Sequence, residues 1–236
     1  MVVISFFTTI FLTRKLGPEN YGTLSYALSI ATFLLPICML GMDSFMSRNL
    51  SFYLGQRDSG KIKGVFVSTS KFIIVVTFFI AIMLFLISMV FPFSSYMQII
   101  VPYLVVSVML SIFTTALDSL RKIGISTLIK ILTQASLVFF VLIMVGYGVF
   151  GVLISYGASM AVSAVLAFAI ILKASWWKAK PKRINIKGAL SFSVPWFAAN
   201  FLTQINMYAN VFILTYFSSL YGMAGVGFYS LALNLT

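Results

Sequence analysis

The chain is 236 residues long, 61% hydrophobic and only 8% charged, with 16 Lys+Arg against 4 Asp+Glu and a formal net charge of +12. Soluble domains carry about 25% charged residues, so a soluble globular protein is excluded. There is no histidine and a single cysteine, Cys38, which removes an intrachain disulfide, a Cys/His zinc site and Ser-His or Cys-His nucleophilic chemistry.

The predicted elements are bilayer-spanning helices. Met1 to Leu12 is apolar but stops at Arg14 and Lys15, shorter than the ~20 residues a span needs, and reads as half a helix. No basic segment precedes it and no small-residue cleavage pattern follows, so a signal peptide is not expected. Six complete spans follow at Thr23 to Met42, Val65 to Val90, Ile99 to Leu117, Ile125 to Gly146, Phe150 to Leu172 and Ala189 to Phe217. An eighth apolar run opens at Val226 and stops at Thr236 in mid-helix, and both ends read as those of a fragment.

Fourteen of the 16 cations follow the second, fourth and sixth helices. They are Arg48, Arg57, Lys61, Lys63 and Lys71; Arg121, Lys122 and Lys130; and Lys173, Lys178, Lys180, Lys182, Arg183 and Lys187. By the positive-inside rule these segments face the cytoplasm, which accounts for the basic charge without a nucleic-acid partner. The outer connections, around Phe91 to Gln98 and Tyr147 to Val149, are short and uncharged.

An internal match aligns Gly17 to Leu28 with Gly222 to Leu233 at a constant offset of 205. Gly17, Gly22, Ser25, Ala27 and Leu28 are identical to Gly222, Gly227, Ser230, Ala232 and Leu233. Six helices separate the copies, an even number, so the halves are expected to be parallel repeats about an axis along the membrane normal. The expected fold is an all-α integral membrane bundle. Residues 1–172 form a six-helix lobe with its first helix clipped, 173–188 a basic cytoplasmic linker, and 189–236 the first helix and start of the second helix of another lobe. Leu16 to Gly22 reads as a tight turn between helices, with Pro18 fixing φ and the glycines permitting positive φ.

The run Arg14, Lys15, Leu16, Gly17, Pro18, Glu19, Asn20, Tyr21, Gly22, with Gly41, Met42, Asp43 and Arg48 at the end of the second helix, resembles the polysaccharide-export flippases. These are the Wzx-type O-antigen flippases of the multidrug/oligosaccharidyl-lipid/polysaccharide exporter superfamily. The resemblance covers most of the chain in span order and charge placement. It implies two six-helix lobes around a central cavity in the bacterial cytoplasmic (inner) membrane. The implied activity is translocation of an oligosaccharide linked to a polyprenyl diphosphate, such as undecaprenyl diphosphate, for surface polysaccharide synthesis. It implies no covalent chemistry and no cofactor. Membrane lipid, a polysaccharide polymerase and chain-length proteins are the further partners it suggests.

Such a transporter needs a wet path for sugars and cations for phosphates, and charged groups inside spans cost roughly 2.5–3.5 kcal/mol, which singles them out. Ser126, Thr127, Lys130, Thr133 and Gln134 share an arc of the fifth helix, so Lys130 and Gln134 are candidate substrate contacts; snorkelling of Lys130 to the headgroups is the alternative. The seventh helix presents Asn200, Thr203, Gln204 and Asn210, able to bond sugar hydroxyls or neighbouring helices. Arg48 and Lys71 are candidate diphosphate partners or interfacial anchors. Asp118 is expected to pair with Lys122, four residues on. Ser155, Ser159, Ser163 and Ala167 recur at every fourth position of the sixth helix, a spacing for close packing.

The rival within this fold is an ion-coupled exporter of cationic drugs, which needs carboxylates inside the bundle. Glu19 and Asp58 fall in loops, Asp118 and Asp43 at helix ends, so an anionic cargo is favoured. A membrane enzyme acting on the same glycolipids needs a large outer loop, and none occurs; a structural subunit or inactive fragment needs neither polar stripe.

Overall fold

In a computed structural model the protein is described over residues 2–90, 94–182 and 186–235. Among these residues eight α-helices follow in order: α1 (Val2–Met39), α2 (Met42–Gly55), α3 (Ser59–Val90), α4 (Ser94–Ser119), α5 (Ile123–Met144), α6 (Gly148–Leu172), α7 (Ile186–Tyr216) and α8 (Ser218–Leu235). No strand occurs among the described residues. Side chains at 1–3, 90–97, 183–187, 190, 218–222 and 233–236 fall outside the described set, and with them Arg183, Lys187, Leu233 and most of the expected Phe91 to Gln98 connection.

Among the described residues, four stretches are long and apolar enough to cross a bilayer: Ile4–Met39, Ser59–Met89, Gln98–Ser119 and Ile123–Leu172. The first is two arms, because Gly17 leaves the helix at φ 77° and ψ 167°. Thr8 and Thr9 line the same cavity as Ser29 and Thr32, which requires the chain to fold back at Gly17. The reversal is tighter than the Leu16 to Gly22 turn expected, since Pro18 supplies a helix-ready φ at the first position of the second arm. Ile123–Leu172 is likewise two packed helices. Thr133 Oγ1 donates to Ser163 Oγ at 2.8 Å, and a Cβ on Gly151 would meet the Met144 carbonyl, so α5 and α6 run antiparallel. This makes an all-α, multi-spanning membrane protein. α7, whose amides lower its hydropathy, is a full-length helix but is not among the four apolar stretches.

The molecule's apolar groups are distributed as a bilayer requires. On α3, Val75, Phe78, Phe79, Leu86 and Met89 are all more than half exposed, and Leu128, Phe139 and Leu142 of α5 face outward too. Such an area of exposed hydrocarbon is foreign to a soluble surface. Inside, Ser155, Ser159, Ser163 and Ala167 are at most 1% exposed and form the seam of α6 with α4 and α5. Their hydroxyls bond back to their own helix, as Ser155 to the Gly151 carbonyl and Ser163 to that of Ser159. Ser159→Leu therefore forces the seam apart. We expect a loss of about 1–3 kcal/mol or more, seen as a lower thermal-unfolding midpoint in detergent.

The second expected span is the second arm of α1, and a further helix follows it. α1 ends at Met39, Leu40 and Gly41 take φ of 46° and 70°, and a separate helix α2 runs on to Gly55. Ser51 Oγ donates to the Ser119 carbonyl at 3.0 Å, tying α2 to the end of α4. Three pairs set the packing of α1 on α7: Gly41 against Ser193, Phe33 against Phe201 and Tyr26 against Phe212. One number rises as the other falls, so the two helices are antiparallel. α8 starts at Ser218, well before the expected Val226, because its glycines hide the helical pattern.

The segment after α6 is held against α3. Lys182 N–H donates to the Gly60 carbonyl at 3.1 Å, Lys182 Nζ reaches Asp58 Oδ2 at 2.9 Å, and Lys63 Nζ donates to the Trp177 carbonyl at 2.6 Å. The Lys182 hydrogen bond, with the Lys61 N–H, holds the Asp58 carboxyl below its ordinary range.

Candidate functional site

Three polar cavities lie along α1, α2 and α7. The first, about 420 Å³, sits among both arms of α1, α5, α6, α7 and α8. Its wall is rich in hydroxyls: Thr8, Thr9, Ser25, Ser29, Thr32, Tyr156, Tyr208 and Ser230, with Gln134 as the amide. Thr8 donates to the Ile4 carbonyl at 2.7 Å, Ser29 to that of Ser25 at 2.7 Å and Thr32 to that of Leu28 at 2.8 Å. Each hydroxyl thereby satisfies its proton within the helix and leaves oxygen lone pairs to accept from a guest.

The second cavity, about 200 Å³, lies at the break between α1 and α2, where Asp43 and Ser111 face Asn200, Thr203 and Gln204. The third, about 630 Å³, is lined by Arg48, Asn49 and Ser51 of α2 with Gly188 and Phe192 of α7. The Arg48 guanidinium lies 4.8 Å from the centre of the Phe192 ring, so it is oriented while its donors stay free for an anion.

The sequence candidates are therefore dispersed. Gln134 enters the hydroxyl cavity, Asn200 and Gln204 share the cavity at the break, and Arg48 stands at the α2 end of the path. Asn210 Nδ2 donates to the Tyr229 hydroxyl at 2.8 Å, which uses it to join α7 to α8. Lys71 stands in an apolar groove of about 500 Å³ between α3, α4 and α6, away from these cavities. Lys130 Nζ pairs with Asp118 Oδ2 at 3.3 Å on the surface, in place of the expected Lys122. Arg121, at φ 59°, reverses the chain there and brings the base of α5 beside the end of α4. The polar arc on α5 serves several surfaces: Ser126 is fully buried, Thr133 bonds Ser163, and only Gln134 reaches the cavity.

Sequence reasoning missed Ser25, Ser29 and Thr32, whose i, i+4, i+7 spacing marks one helix face inside an otherwise apolar run. It placed Asp43 at a helix end, and the structure puts it in the first turn of α2, where it lines a cavity with α7. Asp43 lies beyond the end of the apolar stretch Ile4–Met39.

The matched segments of the internal alignment lie against each other. A Cβ on Gly22 would run into the Met223 carbonyl, and one on Gly227 into the Pro18 carbonyl. Gly22 and Gly227 are partners at the offset of 205, as are Pro18 and Met223, so the contact is reciprocal. Reciprocity of this kind is what a two-fold relation between contacting segments produces. Gly22 and Gly227 are needed there because only hydrogen fits between the two backbones.

No curated protein and no solved structure is similar enough to the chain to count as a match. A family model described as polysaccharide biosynthesis protein matches residues 1–236. This multi-spanning helical protein, with its hydroxyl- and amide-lined cavities inside an apolar bundle, belongs to the polysaccharide biosynthesis protein family.

Proposed function

We propose that the protein flips a lipid-diphosphate-linked oligosaccharide across the bacterial cytoplasmic membrane. The observation that carries this reading is the hydroxyl-rich cavity among α1, α5, α6, α7 and α8, a polar space enclosed by helices whose outer faces are hydrocarbon. Neutral hydroxyls and an amide suit sugar hydroxyls, which both donate and accept. Arg48, oriented on Phe192, offers the diphosphate a planar fork at the cytoplasmic mouth, and Asn200 and Gln204 extend the amide lining between mouth and cavity. The polyprenyl tail stays in lipid. The protein supplies a path and no covalent step, so it acts as a transporter, with membrane lipid around it and polymerase and chain-length proteins downstream. Lys71 and Asn210 stand apart from this path.

The test is complementation of a flippase-deficient strain, with surface glycan quantified. Restoration by the native gene is expected, with a fall of at least about ten-fold for Gln134→Leu, which leaves buried sugar hydroxyls unpaired. Failure of the native gene to restore any glycan would remove the proposal. Lys130→Gln is expected to keep glycan within about two-fold, because the lost partner is a surface ion pair worth at most ~1 kcal/mol.

A further inference from the structure

Lys71 is an exposed cation inside an apolar span, and the sugar path does not use it. Its ammonium makes no ion pair among the described residues. Of the four acids in the chain, Asp58 and Asp118 are taken by Lys182 and Lys130, Asp43 lines a cavity with α7, and Glu19 stands beside the Gly17 reversal. The protein therefore offers Lys71 no anion. A charge within a span is costly to leave unpaired, which calls for a partner from outside the chain.

The surroundings of Lys71 show what that partner is. It stands on the wall of a groove of about 500 Å³, where Ser70 is the one other aliphatic polar residue. The groove follows Phe66 to Ile74 on α3, Phe113 back to Val106 on α4 and Phe168 back to Ala161 on α6. Phe113 stacks on Phe168 at 5.4 Å and Phe66 meets Trp177 at 6.0 Å, so this aromatic end lies next to the basic segments. Eight residue steps on α3 make the groove about 12 Å long, which fits inside one leaflet's ~15 Å of hydrocarbon. Its open side faces the bilayer, with Ile74 40% and Val165 68% exposed.

Charge is arranged at one end of this slot. Side chains on a helix lean toward its N-terminus, so the Lys71 stem carries its ammonium back toward the basic side. There, α6 ends at Lys173, five residues past Phe168, and Trp177 is followed by Lys178; both lysines are exposed and outside the ion pairs among the described residues. The rim is fixed in place, because Lys63 Nζ lies 5.0 Å over the Trp177 ring and donates to the Trp177 carbonyl. An apolar slot one leaflet deep with cations at its mouth is complementary to an acyl chain ending in a phosphodiester. A zwitterionic headgroup brings an ammonium that these lysines repel, so a net negative lipid is favoured. A polyprenyl chain is too long to be seated along the slot, which stops at Ile74, Val106 and Ala161.

We propose that the groove between α3, α4 and α6 binds an anionic phospholipid from the leaflet on the basic side, one acyl chain lying in the slot and the phosphate meeting the Lys71 ammonium. Lys173 and Lys178 add charge at the mouth. The site is on the outer face of the bundle, apart from the sugar path, and it does not rest on the identity of the cargo.

The experiment uses the protein reconstituted in phosphatidylcholine vesicles, titrated with phosphatidylglycerol brominated near the glycerol end of its acyl chain, and reads quenching of tryptophan fluorescence. Quenching that saturates at a low mole fraction is expected, whereas brominated phosphatidylcholine should quench only in proportion to its mole fraction. Trp177→Phe should remove most of the saturable component, which locates it in the groove. Lys71→Gln is expected to bind about five-fold more weakly, the effect of one lysine facing an anionic lipid, and Lys71→Arg should recover most of the loss. Ala161→Phe keeps every charge but fills the deep end of the slot, and should bind several-fold more weakly. Lys130→Gln, which removes a surface cation paired with Asp118, should bind as the native protein does. Each variant is first shown to be monodisperse by gel filtration. Saturation by neither lipid, or alike by both, overturns the proposal, as does unchanged affinity in either Lys71→Gln or Ala161→Phe. Displacement of the brominated lipid by a polyprenyl phosphate at a lower mole fraction than by phosphatidylglycerol would give the groove to the carrier lipid and likewise overturn it.

Discussion

Replacing Gly22 by leucine will prise α1 from α8 and open the hydroxyl cavity on the side of the Gly17 turn. The side chain has nowhere to go, because the Met223 carbonyl and the Gly227 backbone occupy the space where its Cβ must sit. Flexible side chains can yield to an intruder, but here both obstacles are backbone. The helices must separate, at a cost of about 1–3 kcal/mol in packing. The cavity lies directly below: Tyr21 is in its wall one residue from Gly22, followed by Ser25 and Ser29 at successive turns. The measurement is labelling of Ser29→Cys by a membrane-impermeant thiol reagent applied from that side, with Cys38 buried and silent. Labelling at least about ten-fold faster in the Gly22→Leu background is expected, since the contact contributes an opening free energy of ~1.4 kcal/mol or more. Gly227→Leu should match it, because the two contacts are reciprocal. Equal labelling in all three proteins would show that the glycine contact does not close the cavity.

The second large effect is expected at Arg48. Its guanidinium is held on the Phe192 ring and makes no ion pair among the described residues, so its hydrogen-bonding face is available to a phosphate. Losing a hydrogen bond to a charged group costs about 1.5–3 kcal/mol, or roughly ten- to hundred-fold in transport by Arg48→Ala. Arg48→Lys keeps the charge but gives up the planar fork and stacking, so it should recover only part of the rate. Initial rates of glycan appearance, measured with matched protein levels in the membrane, check both. Full activity of Arg48→Ala would exclude the residue from the path.

Much of the architecture was legible because hydrocarbon runs of bilayer length have few other uses. The spans from Val65 to Leu172 correspond to α3 through α6, and the serine spacing on α6 marks a packing seam that the structure buries. Gly17 with Pro18 announced a reversal between helices, and the structure confines it to Gly17. The end of the second span near Gly41 was legible, but the separate helix α2 beyond it was not, because Met42 to Gly55 is too short and too polar to read as a further span. Asp43, read as lying at the end of the second span, opens that further helix and lines a cavity with α7.

The polar stripes show a second reason for partial legibility. A helical wheel groups Lys130 with Gln134, but one bonds Asp118 at the surface and the other lines the cavity. A span of α5 faces different neighbours at different depths, so one arc can meet loop, helix and cavity in turn. Long side chains complicate it further: Lys130 reaches an acid twelve residues away that only the reversal at Arg121 makes adjacent. Short hydroxyl residues carry less ambiguity, because Ser25, Ser29 and Thr32 cannot leave the surface to which their backbone assigns them.

The most direct test is transbilayer movement of a fluorescent polyprenyl-diphosphate oligosaccharide in vesicles reconstituted with the purified protein, read by a lectin confined to one side. The lectin-accessible fraction should rise with time faster than in protein-free vesicles, and Gln134→Leu should slow that rise by about ten-fold. A native rate no greater than that of empty vesicles, with ion gradients imposed in either direction, would contradict the assignment of a sugar-lipid path to this bundle.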